Sequence, residues 1–176
     1  MVEATTEEAK IDTNLYSRQI GTFGMEAMGK LMKLKVLIIG MRGLGVETAK
    51  NLILAGPKSV TLYDPAKVAI ADLSSNFYIA EADVGAKSRA EASVTQLKEL
   101  NPYVDVDVAA DFSVDDISKY SLVCVTENCL GLTKLIELDE KCRAANIGFI
   151  LAETLGPMVY AFVDYGNHTV FDEDGE

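Results

Sequence analysis

Apolar positions recur along the chain in two alternating rhythms. Lys35–Ile39, Val60–Tyr63, Leu122–Thr126 and Ile147–Ala152 are short, nearly unbroken apolar runs, the pattern of strands buried on both faces. Between them, apolar side chains fall three and four apart. One such segment opens near Gly43 and stops at Gly56-Pro57. A second covers Ala86–Leu100 with Ala90, Val94, Leu97 and Leu100 on one face and ends at Asn101-Pro102, and a third covers Leu130–Ala145. These are helices. Val104, Val106 and Val108 alternate with Asp105 and Asp107, which predicts a strand with one wet face. Val159–Asp164 and Thr169–Phe171 flank Gly166-Asn167 and predict a hairpin. Leu15–Met32 carries helical stripes, but Gly21, Gly24 and Gly29 argue against one continuous helix, and its methionine-rich face reads as a packing surface. Residues 1–14 are polar and predict a mobile segment ahead of a domain over 15–176.

Strands alternating with helices specify an α/β domain. The expected architecture is a Rossmann-like, doubly wound, mostly parallel sheet with helices on both faces and an antiparallel C-terminal hairpin. Ligands of such sheets bind beyond the carboxyl ends of the strands, here the turns after Ile39, Tyr63, Val108 and Thr126.

Composition narrows the choice of ligand. The 176 residues are 49% hydrophobic, enough for a one-domain core. Acidic side chains outnumber basic ones 27 to 16, a formal charge of -11, which argues against nucleic acid and against an anionic membrane surface. Residues 1–90 carry 11 basic and 10 acidic groups and residues 91–176 carry 5 and 17, so a phosphate site belongs in the first half. Apolar runs such as Val36–Ile39 and Gly148–Ala152 are too short to span a bilayer, and Met1–Lys10 lacks a signal-peptide pattern. Cys124, Cys129 and Cys142 have no metal-ligand spacing and fit a reducing compartment. Cys124 reads as a buried thiol, and none of the three has a base nearby to make a thiolate. The single histidine, His168, lies in a turn.

The strongest chemical signal is Gly40-Met41-Arg42-Gly43-Leu44-Gly45, a strand-to-helix turn. Against the dinucleotide pattern G-x-G-x-x-G it keeps the outer glycines, Gly40 and Gly45, and places Arg42 where the backbone should approach a pyrophosphate. A degenerate, non-binding loop is the expectation. Asp64, 19 residues after Gly45 at a strand end, is either a ribose carboxylate or the start of an Asp-Pro turn. Glu127-Asn128 offers one carboxylate and one amide, thin for magnesium, and reads better as a helix entrance capped by Asn128. No metal site is assigned, and the absence of a Walker A lysine excludes a P-loop. A nicotinamide-dependent oxidoreductase using Gly40, Gly45 and Asp64 is the alternative of another class, weakened by Arg42 and by the lack of a proton donor or acceptor suited to hydride transfer.

Several segments then act together. Tyr16-Ser17-Arg18-Gln19-Ile20, Lys35–Gly40, Gly43–Glu47, Ala49–Gly56, Asp72–Phe77, Val84-Gly85, Leu100–Pro102 and Phe162–Asp164 resemble the enzymes that activate ubiquitin and ubiquitin-like proteins, within the ThiF/MoeB-like adenylating superfamily. The likeness covers nearly everything from Leu15 onward. It is to the N-terminal, inactive adenylation half of the ubiquitin-activating branch, favoured by the ending Thr169–Asp172. The small subunit of SUMO-activating enzymes is the alternative.

The resemblance implies a piece of a larger protein that uses ATP and magnesium to adenylate the C-terminus of ubiquitin, forms a thioester on a cysteine outside this chain, and serves conjugating enzymes in cytoplasm and nucleus. It implies the active adenylation half as partner. Active halves carry a glycine loop, an Asn-x-x-Arg-Gln segment, a lysine and a magnesium-binding aspartate. This chain has Arg42 in the loop, no arginine in Asp72–Phe77, Lys87 near but out of step with the lysine, and Glu127 in place of the aspartate. The family's Tyr-x-Arg-Gln arginine crosses to the ATP of the partner half, and Arg18 matches it. Arg18 is thus the expected catalytic contribution, with no nucleotide expected on this chain itself.

Overall fold

The computed structural model describes residues 12–169. Its sheet contains β1 (Lys35–Ile39), β2 (Ser59–Tyr63), β3 (Asp105–Val108), β4 (Leu122–Val125), β5 (Gly148–Leu155) and β6 (Met158–Asp164), in the order β3-β2-β1-β4-β5-β6. All pairs are parallel except β5–β6. Four helices accompany it: α1 (Ser17–Leu31), α2 (Gly43–Ala55), α3 (Arg89–Glu99) and α4 (Leu132–Ala144). The doubly wound α/β expectation holds.

Alternation along β1 divides the core. Val36 and Ile38 face α2 and α3, meeting Val46, Ala49, Ile53, Ala90 and Leu97, whereas Leu37 and Ile39 face α4, meeting Leu135, Leu138 and Cys142. The crossover from β3 to β4 is a 3-10 turn, Val114–Lys119, whose Ile117 joins the α4 layer. α3 begins at a capping box: Ser88 Oγ accepts from Glu91 N at 3.2 Å while Glu91 Oε2 accepts from Ser88 N at 2.8 Å. Such a cap stabilises a helix by about 1 kcal/mol and fixes where it starts.

Three local expectations need correction. A C-terminal hairpin turns at Gly156-Pro157, with Leu155 paired to Met158, so Val159–Asp164 is the second strand of a hairpin with β5 and not only the first of the one expected about Gly166-Asn167. The strand ends at Asp164, whose carboxylate accepts from Gly166 N and pairs with Arg143. Val170 and Phe171 lie outside the described residues. As its glycines led one to expect, the Leu15–Met32 segment breaks at Gly24 (φ 79°, ψ 163°), so α1 is two helical pieces. Its methionine face is only partly packing, since Met28 is buried but Met25 and Phe23 are exposed. Asn128 does not cap α4: its side chain accepts from Gly131 N in the preceding turn, and the helix starts at Leu132.

Of the segment expected to be mobile, residues 12–14 form a turn in which Asp12 Oδ1 accepts from the amides of Asn14 and Leu15. The remainder lies outside the described residues. Among the described residues no helix is long and apolar enough to cross a membrane.

Candidate functional site

The switch point of the sheet lies between β1 and β4, where the strand order reverses. The carboxyl ends of β2, β1 and β4 stand level there, with Ile39 in register with both Tyr63 and Val125. Gly40 N donates to Tyr63 O at 2.8 Å and Thr126 Oγ1 donates to Gly40 O at 2.7 Å, so the glycine turn is tied to both neighbours. Gly45 is fixed by close approach: a Cβ there would stand 2.0 Å from Gly40 O. The loop keeps the backbone of a nucleotide-binding turn.

Its contents are different. Arg89, the first residue of α3, enters the space beside the loop with only 7% of its side chain exposed. Its Nε donates to Asp72 Oδ2 at 2.8 Å and its Nη1 to Asp64 Oδ2 at 3.3 Å; Nη1 also lies 3.7 Å from Glu127 Oε2. Arg42 closes the outer side, its Nε 3.1 Å from Glu127 Oε1 and 4.0 Å from Asp72 Oδ1, with the side chain half exposed. Two guanidinium groups thus sit among three carboxylates, and the chain supplies its own counter-ions. Burial alone would lower the Arg89 pKa, but hydrogen bonding to Asp72 and the charges of Asp64 and Asp72 raise it. Burial acts to raise Asp72 too, and is outweighed by the Ala69 amide and Arg89, which bring it below the usual carboxylate value. Glu127 goes the other way. Burial raises its pKa against the pull of Arg42 and Arg89, and its Oε2 has no hydrogen-bond donor among the described residues.

Asp64 is spent on the chain itself. Its Oδ2 accepts from Met41 N at 2.9 Å, inside the glycine loop, and its Oδ1 accepts from Ala66 N at 3.0 Å across Pro65. The Asp-Pro turn is therefore formed, and Asp64 Oδ2 is shared between Met41 and Arg89. Asn76, wholly buried, donates to Met41 O and to Ser93 Oγ, locking the loop to α3. Among the described residues no cluster of three or more His, Cys, Asp or Glu is arranged to hold a metal ion. The cationic positions of the cleft face in-chain carboxylates, and Arg42 holds the place of the middle glycine of the dinucleotide pattern.

Arg89 was not singled out from sequence, and Asp72 and Asn76 were read only as part of the family-matching segment Asp72–Phe77. Lys87, the expected near-match to the family lysine, points outward to Asp83 at 2.8 Å. The signal for Arg89 was its position directly after the Ser88 cap, where a helix start aims a side chain at the strand ends.

Arg18 is placed far from this cleft. It is exposed, and among the described residues it forms no ion pair. Its neighbour Tyr16 packs on Gly56, the residue that ends α2, whereas the glycine loop lies at the start of α2. Thirteen residues at 1.5 Å each separate the two ends by about 20 Å. An arginine side chain cannot span that, so Arg18 does not serve its own loop. It lines a shallow cleft of about 520 Å³ with Leu15, Gln19, Leu54 and Pro102.

Comparison with known proteins is consistent with this geometry. The model of the ThiF family matches residues 16–137. The chain is 44% identical over 171 residues to "Ubiquitin-activating enzyme E1 1" of Schizosaccharomyces pombe, covering 97% of this chain and 17% of that protein. It is also 44% identical over 171 residues to "Ubiquitin-like modifier-activating enzyme 1" of Mus musculus, covering 96% and 16%. The chain therefore spans about one sixth of the length of these relatives. The crystal structure of E. coli MccB with succinimide superposes with a TM-score of 0.71 at 22% identity, covering 85% of this chain and 49% of that one, a likeness of fold.

Proposed function

The chain belongs to the ThiF family, and from that premise we propose that it is the inactive adenylation half of a ubiquitin-activating enzyme, donating Arg18 to the ATP site of an active partner half. The observation that carries the reading is the cleft filled by Arg89. A ThiF-type loop whose cation positions are satisfied by Asp64, Asp72 and Glu127 has no charge left for a triphosphate. Gly40, Gly43 and Gly45 then serve packing, with Arg42 as a side-chain stopper. The second support is the exposure of Arg18 at the far end of α2.

In the complete protein the active half holds ATP and magnesium and attaches adenylate to the ubiquitin C-terminus. Its further partners are ubiquitin and the conjugating enzymes that receive it from a thioester. Three free thiols suit the reducing cytoplasm and nucleus. Arg18 contributes a planar fork of donors for phosphate oxygens, where charge builds as the carboxylate attacks the α-phosphate.

Arg18→Ala in the full-length protein is expected to slow ATP–pyrophosphate exchange by about 10²–10³-fold, the effect of losing one preorganised transition-state contact. Exchange at the unmodified rate would refute the donation. Isothermal titration of this chain with ATP and magnesium is expected to show no saturable binding, and micromolar binding would refute the closed cleft.

A further inference from the structure

The segment that carries Arg18 is held to the rest of the chain at very few points. From Asn14 to Ala27 every residue is exposed or partly exposed except Tyr16, whose side chain is 4% exposed. The helical piece starting at Ser17 runs only as far as the break at Gly24, and the next buried residue is Met28. Seven residues including Arg18 therefore stand between one anchor and one hinge.

The anchor is a socket built from the carboxyl ends of α2 and α3. Gly56 ends α2 in the left-handed region (φ 90°), and a Cβ there would meet Tyr16 Oη at 2.6 Å. Glycine is the residue that both closes the helix and admits the phenol ring. Asn101, just past α3, is 5% exposed and donates through Nδ2 to Tyr16 Oη at 3.0 Å and to Ile53 O at 2.9 Å. Its Oδ1 accepts from Tyr103 N at 3.1 Å, so its amide is fully committed and cannot rotate without losing partners. Asp12 sets the approach from the other side, accepting from Asn14 and Leu15 just before the ring enters the socket.

We propose that Tyr16 and Asn101 are positioning residues for Arg18, holding the exposed helical piece at the angle from which its guanidinium reaches the partner half. This rests on the donation of Arg18 proposed above. Among the described residues the Arg18 guanidinium forms no hydrogen bond or ion pair to orient it, and an unanchored helical piece of seven residues is too short to hold its shape alone in water. Orientation that is fixed in advance lowers the barrier; orientation that must be found during the reaction raises it.

The test is a double-mutant cycle in the full-length protein with Tyr16→Phe, which keeps the ring and removes the hydroxyl, and Arg18→Ala. Tyr16→Phe is expected to lower kcat of ATP–pyrophosphate exchange by about 3- to 10-fold, the usual weight of one hydrogen bond, with KM for ATP unchanged. In the Arg18→Ala background it should have no further effect, and amide exchange over residues 17–23 of the single variant should accelerate while the sheet stays protected. If Arg18→Ala slows exchange but Tyr16→Phe is silent, or the two effects multiply, the positioning role is overturned and the donation stands. If Arg18→Ala is silent, the donation itself fails and the positioning role with it.

Discussion

The two arginine regions are mounted on the same pair of helices. α2 and α3 hold the glycine loop and Arg89 at their amino ends and the Tyr16 socket at their carboxyl ends. At one end a guanidinium is buried among Asp64, Asp72 and Glu127, with its Nε and Nη1 engaged inside the chain. At the other, Arg18 stands in solvent with only its base fixed. The comparison separates two uses of a cation. A buried charge is held by its own partners and is worth most to stability, whereas an exposed charge on a fixed base is available for a partner outside the chain.

The contrast breaks most sharply at Arg89. Arg89→Met leaves three carboxylates without their central cation, and thermal unfolding should show a loss of about 3–5 kcal/mol. Arg18→Ala in the same measurement should leave Tm unchanged. A small effect at Arg89 would mean that the cluster is not what closes the cleft. Gly56→Ala should come next, at about 1–3 kcal/mol, because it forces a β-carbon both into the left-handed region and against Tyr16. Faster amide exchange confined to residues 12–23 would tie that loss to the socket.

Acid separates the regions more finely. The Asp72 pKa lies below its ordinary 3.8 in the folded chain, so its stabilisation is complete above that value and is lost as pH falls through the lowered one. The stability gap between the unmodified chain and Asp72→Asn should therefore be constant near neutrality and close below about pH 4. A gap that persists into strong acid would show that Asp72 acts through shape, not charge. The smallest effect concerns the thiols. Cys124 and Cys142 are pushed up to about 12 by burial and should resist alkylation at pH 8, leaving exposed Cys129 to react in the native state. Cys129 is raised by burial and then by Asp64 and Glu127, so Glu127→Gln should modestly quicken its alkylation.

Local pattern was enough to specify the layered α/β fold, because strands buried on both faces must be apolar throughout and helices covering them must be amphipathic. Gly40, Gly45 and Asp64 were legible for the same reason: a strand-to-helix turn needs its small residues and its terminal carboxylate at fixed spacing, whatever binds there. Arg42 already marked the loop as altered. The hairpin at Gly156-Pro157 was not read from the sequence, since Gly166-Asn167 is an equally good turn signal and the strand that Val159–Asp164 pairs with is a choice local pattern does not carry.

Which charged groups meet was settled by tertiary structure alone. Asp64, Asp72, Arg89 and Glu127 come from four separate segments, and no periodicity relates a helix-start arginine to a 3-10 turn or a strand end. Lys87 and Arg89 are two residues apart, yet the Ser88 cap turns one outward to Asp83 and the other into the cleft. Likewise Tyr16 and Asn101 are 85 residues apart and meet only because α2 and α3 end together on one face. Sequence periodicity reports the burial of each element, a local quantity. Ion pairing depends on where independent elements end in space, and that is fixed only when the core is packed.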